Sequence, residues 1–213
     1  ATKFIPDGEY LLDNVTVEAN SKEISTTYLK GFVRQQPNSK WFSLVKVPMG
    51  AYALSGKDTS KWINRFLQRV GEEPVVFDTL LAQKTQENIL LAVTNMGWLD
   101  ADVFQSKQIK GKKLKLTYDV VTGNRYYLNR IDYRIYDPII EKLVKDDQPL
   151  SLLKKGEPFD LNVLDNERSR ITRFLQNSGY YKFTKEYVRF EADTCVGGQL
   201  VDISIVIPLY KAN

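Results

Sequence analysis

The chain has 213 residues, long enough for one large or two small domains, and its 43% hydrophobic content can bury a real core, which excludes a disordered tail. Its 30 basic and 26 acidic residues leave a formal charge of only +4, mixed in sign along the sequence, as in a solvated surface and unlike a nucleic-acid footprint. With no histidine, Ser-His-Asp triads and most zinc sites are excluded, and the lone Cys195 cannot close an intrachain disulfide. No apolar run reaches spanning length and no signal-peptide pattern is found, so the expectation is a soluble protein or the soluble part of something processed or larger.

Ala1 to Gly8 is a lead-in with a Pro6-Asp7-Gly8 turn. From Leu11 the residues alternate, Leu11, Asp13, Val15 and Val17 on one side, as in a strand with a buried face. Leu29, Phe32 and Val33 then fall at helical spacing in a short segment that Pro37 ends. Residues 37–71 read differently. Trp41-Phe42 and Leu44 to Val47 precede a Pro48-Met49-Gly50 turn and a loop through Tyr52, and Ile63, Phe66, Leu67 and Val70 form a helical stripe after an Asp58 or Ser60 N-cap. Gly71-Glu72-Glu73-Pro74 stops that helix. Phe77-Asp78 opens a second helix whose face is Ile89, Ala92, Val93 and Met96, and Gly97 is its natural left-handed terminator.

A strand from Trp98 to about Ile109, a Lys110-Gly111-Lys112 turn and a strand through Leu114, Leu116, Tyr118 and Val120 follow. Thr122-Gly123-Asn124 marks a boundary, dividing the chain into units 1–122 and 123–213. The second unit repeats the order: a strand over Leu128 to Ile135, a short helix from Pro138 to Lys145, and a long helix carrying Leu164, Ile171, Phe174 and Leu175 that ends at Gly179. A strand from Tyr180 to about Glu191, a Val196-Gly197-Gly198 turn and a last strand through Val201, Ile203, Ile205 and Ile207 complete it. An offset of 82 pairs Gly97 with Gly179, Asp78 with Asp160, Ile89 with Ile171 and Asn95 with Asn177 without a gap. The first strands pair at an offset of 116, so the first unit carries about 34 extra residues, the size of the odd segment at about 37–71.

Each unit therefore reads β-α-α-β-β, an α+β arrangement in which a small three-stranded sheet buries one face under a helix pair. The helix end Gly179-Tyr180-Tyr181-Lys182-Phe183, the lead Gly156-Glu157-Pro158-Phe159 and, more loosely, Gly97-Trp98-Leu99 resemble the signature of POTRA (polypeptide-transport-associated) domains. Thr2 to Leu11 and Gly56 to Ile63 look like the TamA-like lipoprotein branch of the BamA/TamA outer-membrane proteins. The resemblance implies a non-enzymatic periplasmic region at the bacterial outer membrane, without cofactor, metal or nucleic acid. Its partners would be unfolded or nascent outer-membrane polypeptides and other envelope assembly proteins. A lipidated cysteine ahead of the chain and a C-terminal membrane β-barrel in the parent protein are also implied, although Ala1 is not cysteine and no barrel-like series of segments is present.

No catalytic group stands out. Cys195 reads as a hairpin thiol, Asp146-Asp147 as a solvated loop, and Lys110, Lys112, Lys113 and Lys115 as a charged hairpin ahead of contact with anionic lipid or nucleic acid. Binding is better supported. An unpaired sheet edge can accept an extended peptide through main-chain hydrogen bonds, and the resemblance places such edges at Val103, Phe104 and Gln105 and at Val188, Arg189 and Phe190. The alternative is an edge protected by charges such as Lys185, Glu186 and Arg189. Trp41, Phe42, Tyr52 and Trp62 are candidates for a partner surface, against packing on their own unit. Gly97, Trp98, Gly179 and Tyr180 are read as structural: the passage from helix into edge strand needs glycine for geometry, with no chemistry.

Overall fold

Two sets of strands and helices are laid out by the computed structural model, which describes residues 2–38 and 73–210. The first set is β1 (Leu11–Ala19), α1 (Thr26–Lys30), α2 (Thr79–Asn95), β2 (Asp102–Lys110) and β3 (Lys113–Val121). The second is β4 (Tyr127–Ile135), α3 (Pro138–Asp146), α4 (Leu161–Asn177), β5 (Arg189–Asp193) and β6 (Leu200–Ile207). The strands pair as β1-β3-β2 and β4-β6-β5, with the central strand parallel to the first and antiparallel to the other. This is the expected α+β class, and the described elements of each set run in the expected β-α-α-β-β order. The residues group into two compact units, Ala1–Ala92 with Asp102–Val121, and Val93–Ala101 with Thr122–Asn213. Val93–Ala101 group with the second unit, where Leu99 packs against its core.

The long helices are copies in detail. Each has 17 residues, and their starts, Thr79 and Leu161, keep the 82-residue offset. Asp78 accepts hydrogen bonds from the Leu80 and Leu81 amides and Asp160 from the Asn162 amide, satisfying N–H groups that a helix start leaves unpaired. At the other end the Gly97 and Trp98 amides return to the Thr94 and Val93 carbonyls, and the Gly179 and Tyr180 amides to Gln176 and Leu175. Both helices thus close in a Schellman motif, with Gly97 at φ 96° and Gly179 at φ 103°. Ile89, Ala92 and Val93 are buried on α2, and Leu164, Ile171 and Leu175 on α4.

Three expectations need correction. The first helix ends at Lys30, with Gly31 as its C-cap, so Phe32 and Val33 lie beyond it. The strand after each glycine starts later than the alternation suggests, at Asp102 and at Arg189. In the second unit Phe183 is fully buried and stacks on Tyr187 at 5.1 Å, and residues 180–187, most of them exposed, run through a 3-10 turn at Lys185–Tyr187 instead of along the sheet. The first strands also break their alternation. A bulge between Leu12 and Asn14, and its counterpart between Leu128 and Arg130, shifts the register, while Leu11, on the face opposite Leu12, is buried separately against Ile5 and Val76.

The turn, loop and helical stripe expected within residues 39–71 lie outside the described residues. On either side, Asn38 donates to the Glu73 carbonyl (2.7 Å) and accepts from the Val75 amide (3.0 Å), while Gln35 does the same for Val76 (2.6 Å) and Asp78 (3.0 Å).

One helix position holds the preceding loop in both units. In the first, the buried Thr85 accepts from the Arg34 amide (3.0 Å). In the second, the equivalent Glu167, also fully buried, accepts from the Leu152 amide (3.0 Å) and the Ser151 hydroxyl (2.9 Å). A buried carboxylate needs compensation, and the Arg170 guanidinium supplies two bonds of 2.9 Å to Glu167 while also pairing with Asp147. Burial pushes the Glu167 carboxyl up, but the hydrogen bonds from Arg170, the Leu152 amide and Ser151 outweigh it and hold the carboxyl below the usual carboxylate range. Arg170 is pushed up, chiefly by its bonds to Glu167.

Because the folded pKa of Glu167 is depressed, its contribution is fully present above the unfolded value of about 4.3 and is lost as pH falls through the folded one. Glu167→Gln is expected to lower the stability of the second unit by about 3 kcal/mol at pH 7, with a smaller deficit at pH 3. Urea unfolding of both proteins at the two pH values measures the difference.

Candidate functional site: the open sheet edges

Among the described residues β2 and β5 are edge strands, each paired on one side only. The opposite edges are covered where they begin. The Leu12 amide donates to Val75 and the Phe77 amide to Tyr10, and likewise Leu128 donates to Glu157 and Phe159 to Tyr126. The segments leading into the long helices, including the Gly156-Glu157-Pro158-Phe159 motif, thus form short antiparallel rungs on β1 and β4, centred on the Leu11–Val76 and Tyr127–Pro158 bridges. A proline is tolerated there because an outer rung does not need its N–H.

The sequence-predicted edge residues divide into a tethered and an open part. Val103 is buried, and its carbonyl accepts from Gln86 Nε2 (2.5 Å) while its amide is met by the Asp102 carboxylate (2.8 Å). Val188 is buried too. It lies just ahead of β5, and its carbonyl accepts from Arg168 Nε (3.0 Å). Gln86 and Arg168 are equivalent at the 82-residue offset and immediately follow the loop-holding Thr85 and Glu167. Gln86 also accepts from Gln105 (2.7 Å), and the Arg168 guanidinium lies 5.4 Å from the Phe190 ring centre. The strand starts are therefore fastened to the helices.

Residues two apart on a strand turn their main-chain groups to the same side. With the Val103 groups facing outward, Gln105, Lys107 and Ile109 present theirs to the open edge, as do Phe190 and Ala192 after Val188. Phe104 instead points its ring, 52% exposed, from the outer sheet face, in register with Asp119. Arg189, Lys185 and Glu186 are exposed, so charges do flank the second edge. Trp41, Phe42, Tyr52 and Trp62 lie outside the described residues.

The residues read as structural sit where geometry requires them. A Cβ at Gly97 would lie 2.3 Å from the Phe159 carbonyl oxygen, and the Gly97 carbonyl accepts from the Tyr126 amide, all within the second unit as defined above. Trp98 is buried under the Arg125 guanidinium, 4.3 Å from its ring centre. Gly179 has open space around its Cβ position, and Tyr180 packs edge-on against Tyr210 at 5.4 Å. Cys195 is exposed. Among the described residues no group of three or more His, Cys, Asp or Glu is placed to hold a metal, and no helix is long and apolar enough to cross a membrane.

No protein-family model matches the chain, and no curated protein does. Solved structures do. POTRA domains 3–5 of Haemophilus influenzae BamA superpose with a TM-score of 0.47 at 18% identity, over 96% of this chain and 68% of that one. POTRA domains 1–2 of Omp85 from Anabaena give 0.44 at 12% identity over 97% and 100%, and CdiB from Escherichia coli gives 0.35 at 9% over 100% and 29%.

The two glycines are expected to respond unequally. Gly179→Ala forces a non-glycine residue to positive φ and is expected to cost about 1–2 kcal/mol. Gly97→Ala adds a backbone clash and is expected to cost at least twice as much, by roughly 3 kcal/mol or more, in thermal unfolding of the two variants.

Proposed function

We propose that the chain is a periplasmic POTRA region of an outer-membrane protein assembly or translocation factor, and that it binds unfolded client polypeptides by strand addition at its open edges. Residues 1–122 would be the enlarged unit and 123–213 the plain one. The observation that carries the reading is β2: nine residues long, fastened at its start, with Gln105, Lys107 and Ile109 turning main-chain donors and acceptors outward. β5 offers a shorter version at Phe190 and Ala192.

Main-chain recognition with few side-chain pockets suits clients of many sequences, and it gives weak binding. The repeated helix-glycine-aromatic motif supports the family assignment. The likeness of Thr2 to Leu11 and of Gly56 to Ile63 extends the proposal to the TamA-like lipoprotein branch, with a lipid anchor ahead of the chain and a barrel beyond it in the parent protein. Other envelope assembly proteins would dock on the same scaffold, with Trp41, Phe42, Tyr52 and Trp62 as a partner surface.

A second reading draws on the tethers at Val103 and Val188 and on the exposed Lys185, Glu186 and Arg189, which suit edges protected from pairing. The units would then be spacers or partner-docking modules. An NMR titration with an unfolded, β-rich outer-membrane peptide separates the two. Client binding predicts amide shifts concentrated on Gln105 to Ile109 and on Phe190 to Ala192, at micromolar to millimolar affinity. Silence at both edges would leave the spacer reading.

A further inference from the structure

The outer faces of the two sheets handle charge in opposite ways. On the second, Arg130 pairs with Asp132 (3.0 Å) and Asp202 (3.1 Å), and Arg134 with Glu191 (2.9 Å), so the signs are interleaved and locally neutralised. On the first they are segregated. Register places Lys110 beside Lys113, then Asn14, Lys115 and Gln108 in one row, Thr16, Thr117 and Ser106 in the next, and Glu18, Asp119 and Phe104 beyond. The face therefore runs from basic at the β2–β3 hairpin, through a neutral band, to acidic at the far end.

The basic end has little internal compensation. Lys113 lies 3.9 Å from Asp13, and Lys112 is turned away to Asp7 (2.8 Å) and the Ile5 carbonyl (3.0 Å). Lys110 and Lys115 have no acidic partner among the described residues. Lys110, Lys113 and Lys115 line an open depression of about 410 Å³ with Asp13, Gln108 and Ile109, the last 53% exposed and in register with Leu114 on the opposite sheet face. A cluster of lysines at the hairpin end of one sheet face suits a surface that carries headgroup charge.

We propose that this hairpin end is a contact site for an anionic membrane surface, with Lys110, Lys113 and Lys115 meeting headgroup phosphates. The polarity of the face selects this occupant. An acidic peptide lying along the strands would run onto Glu18, Asp119 and Asp102, whereas a planar surface met end-on touches only the lysines. The contact is independent of client binding at the edges, and each lysine is expected to strengthen it about fivefold at low salt.

The experiment is sedimentation of the 213-residue chain with phosphatidylcholine vesicles, with and without phosphatidylglycerol, at low and high salt. Binding to the anionic vesicles alone, weakened by salt, is expected. The variant Lys110→Gln/Lys113→Gln/Lys115→Gln should bind on the order of 100-fold more weakly. A control triple in the second unit, Lys142→Gln/Lys154→Gln/Lys155→Gln, should lose far less. Matching thermal unfolding confirms that the variants are folded, and Lys110→Gln alone, expected to lose about fivefold, serves if the triple is not. The proposal is overturned by absence of vesicle binding, by equal binding to neutral vesicles, by equal losses in both triples, or by binding to polyglutamate in place of vesicles.

Discussion

Two adjacent positions on each long helix hold the surrounding structure in place. The first, Thr85 or Glu167, grips the loop that precedes the helix, and the second, Gln86 or Arg168, grips the start of the edge strand that follows it. A sheet of three strands leaves few apolar contacts to define where irregular segments lie, so their buried main-chain groups must be assigned partners individually. The helix is the element rigid enough to supply them. Neighbouring residues on a helix point about 100° apart, which is why one pair can serve the loop on one side and the strand on the other.

The two units meet the same requirement with different chemistry. Thr85 is neutral and bonds back to the Leu81 carbonyl, so its burial needs nothing more. Glu167 carries charge into the core and has to recruit Arg170, which in turn engages Asp147 and ties the end of α3 into the network. The second unit gains a denser polar network and, with it, a sensitivity to protonation that the Thr85 tether lacks.

What could be read from the sequence was local and periodic. The 82-residue offset, the terminating glycines and the buried faces of α2 and α4 all follow from helix chemistry confined to a few consecutive residues. The tethers were missed because Thr85, Gln86, Glu167 and Arg168 look like ordinary solvated helix positions. A signal was present: Glu167 falls in line with Leu164 and Ile171, and Thr85 with Ala82 and Ile89, so each interrupts an apolar stripe at a buried step. The later start of β5 was hidden for another reason. Tyr180, Phe183 and Tyr187 have the composition of a strand but leave the sheet to pack on one another and on Tyr210, a choice made by tertiary contacts. The bulges after Leu12 and Leu128 likewise depend on pairing with a strand about a hundred residues away in the first unit and about seventy in the second.

The strand order has a consequence for how such a chain is made. In each sheet the middle strand, β3 or β6, is the last of its unit in sequence, while the strands on its two sides come earlier. Neither β1 nor β2 can pair until β3 exists, and the same holds for β4 and β5 before β6. A chain delivered from its N-terminus therefore carries two unpaired strands and a half-covered helix until the final segment of each unit arrives, and then closes the whole sheet at once. Loss of the last few residues of a unit would remove both sets of strand pairings together, so completeness of each unit is checked by its own final strand.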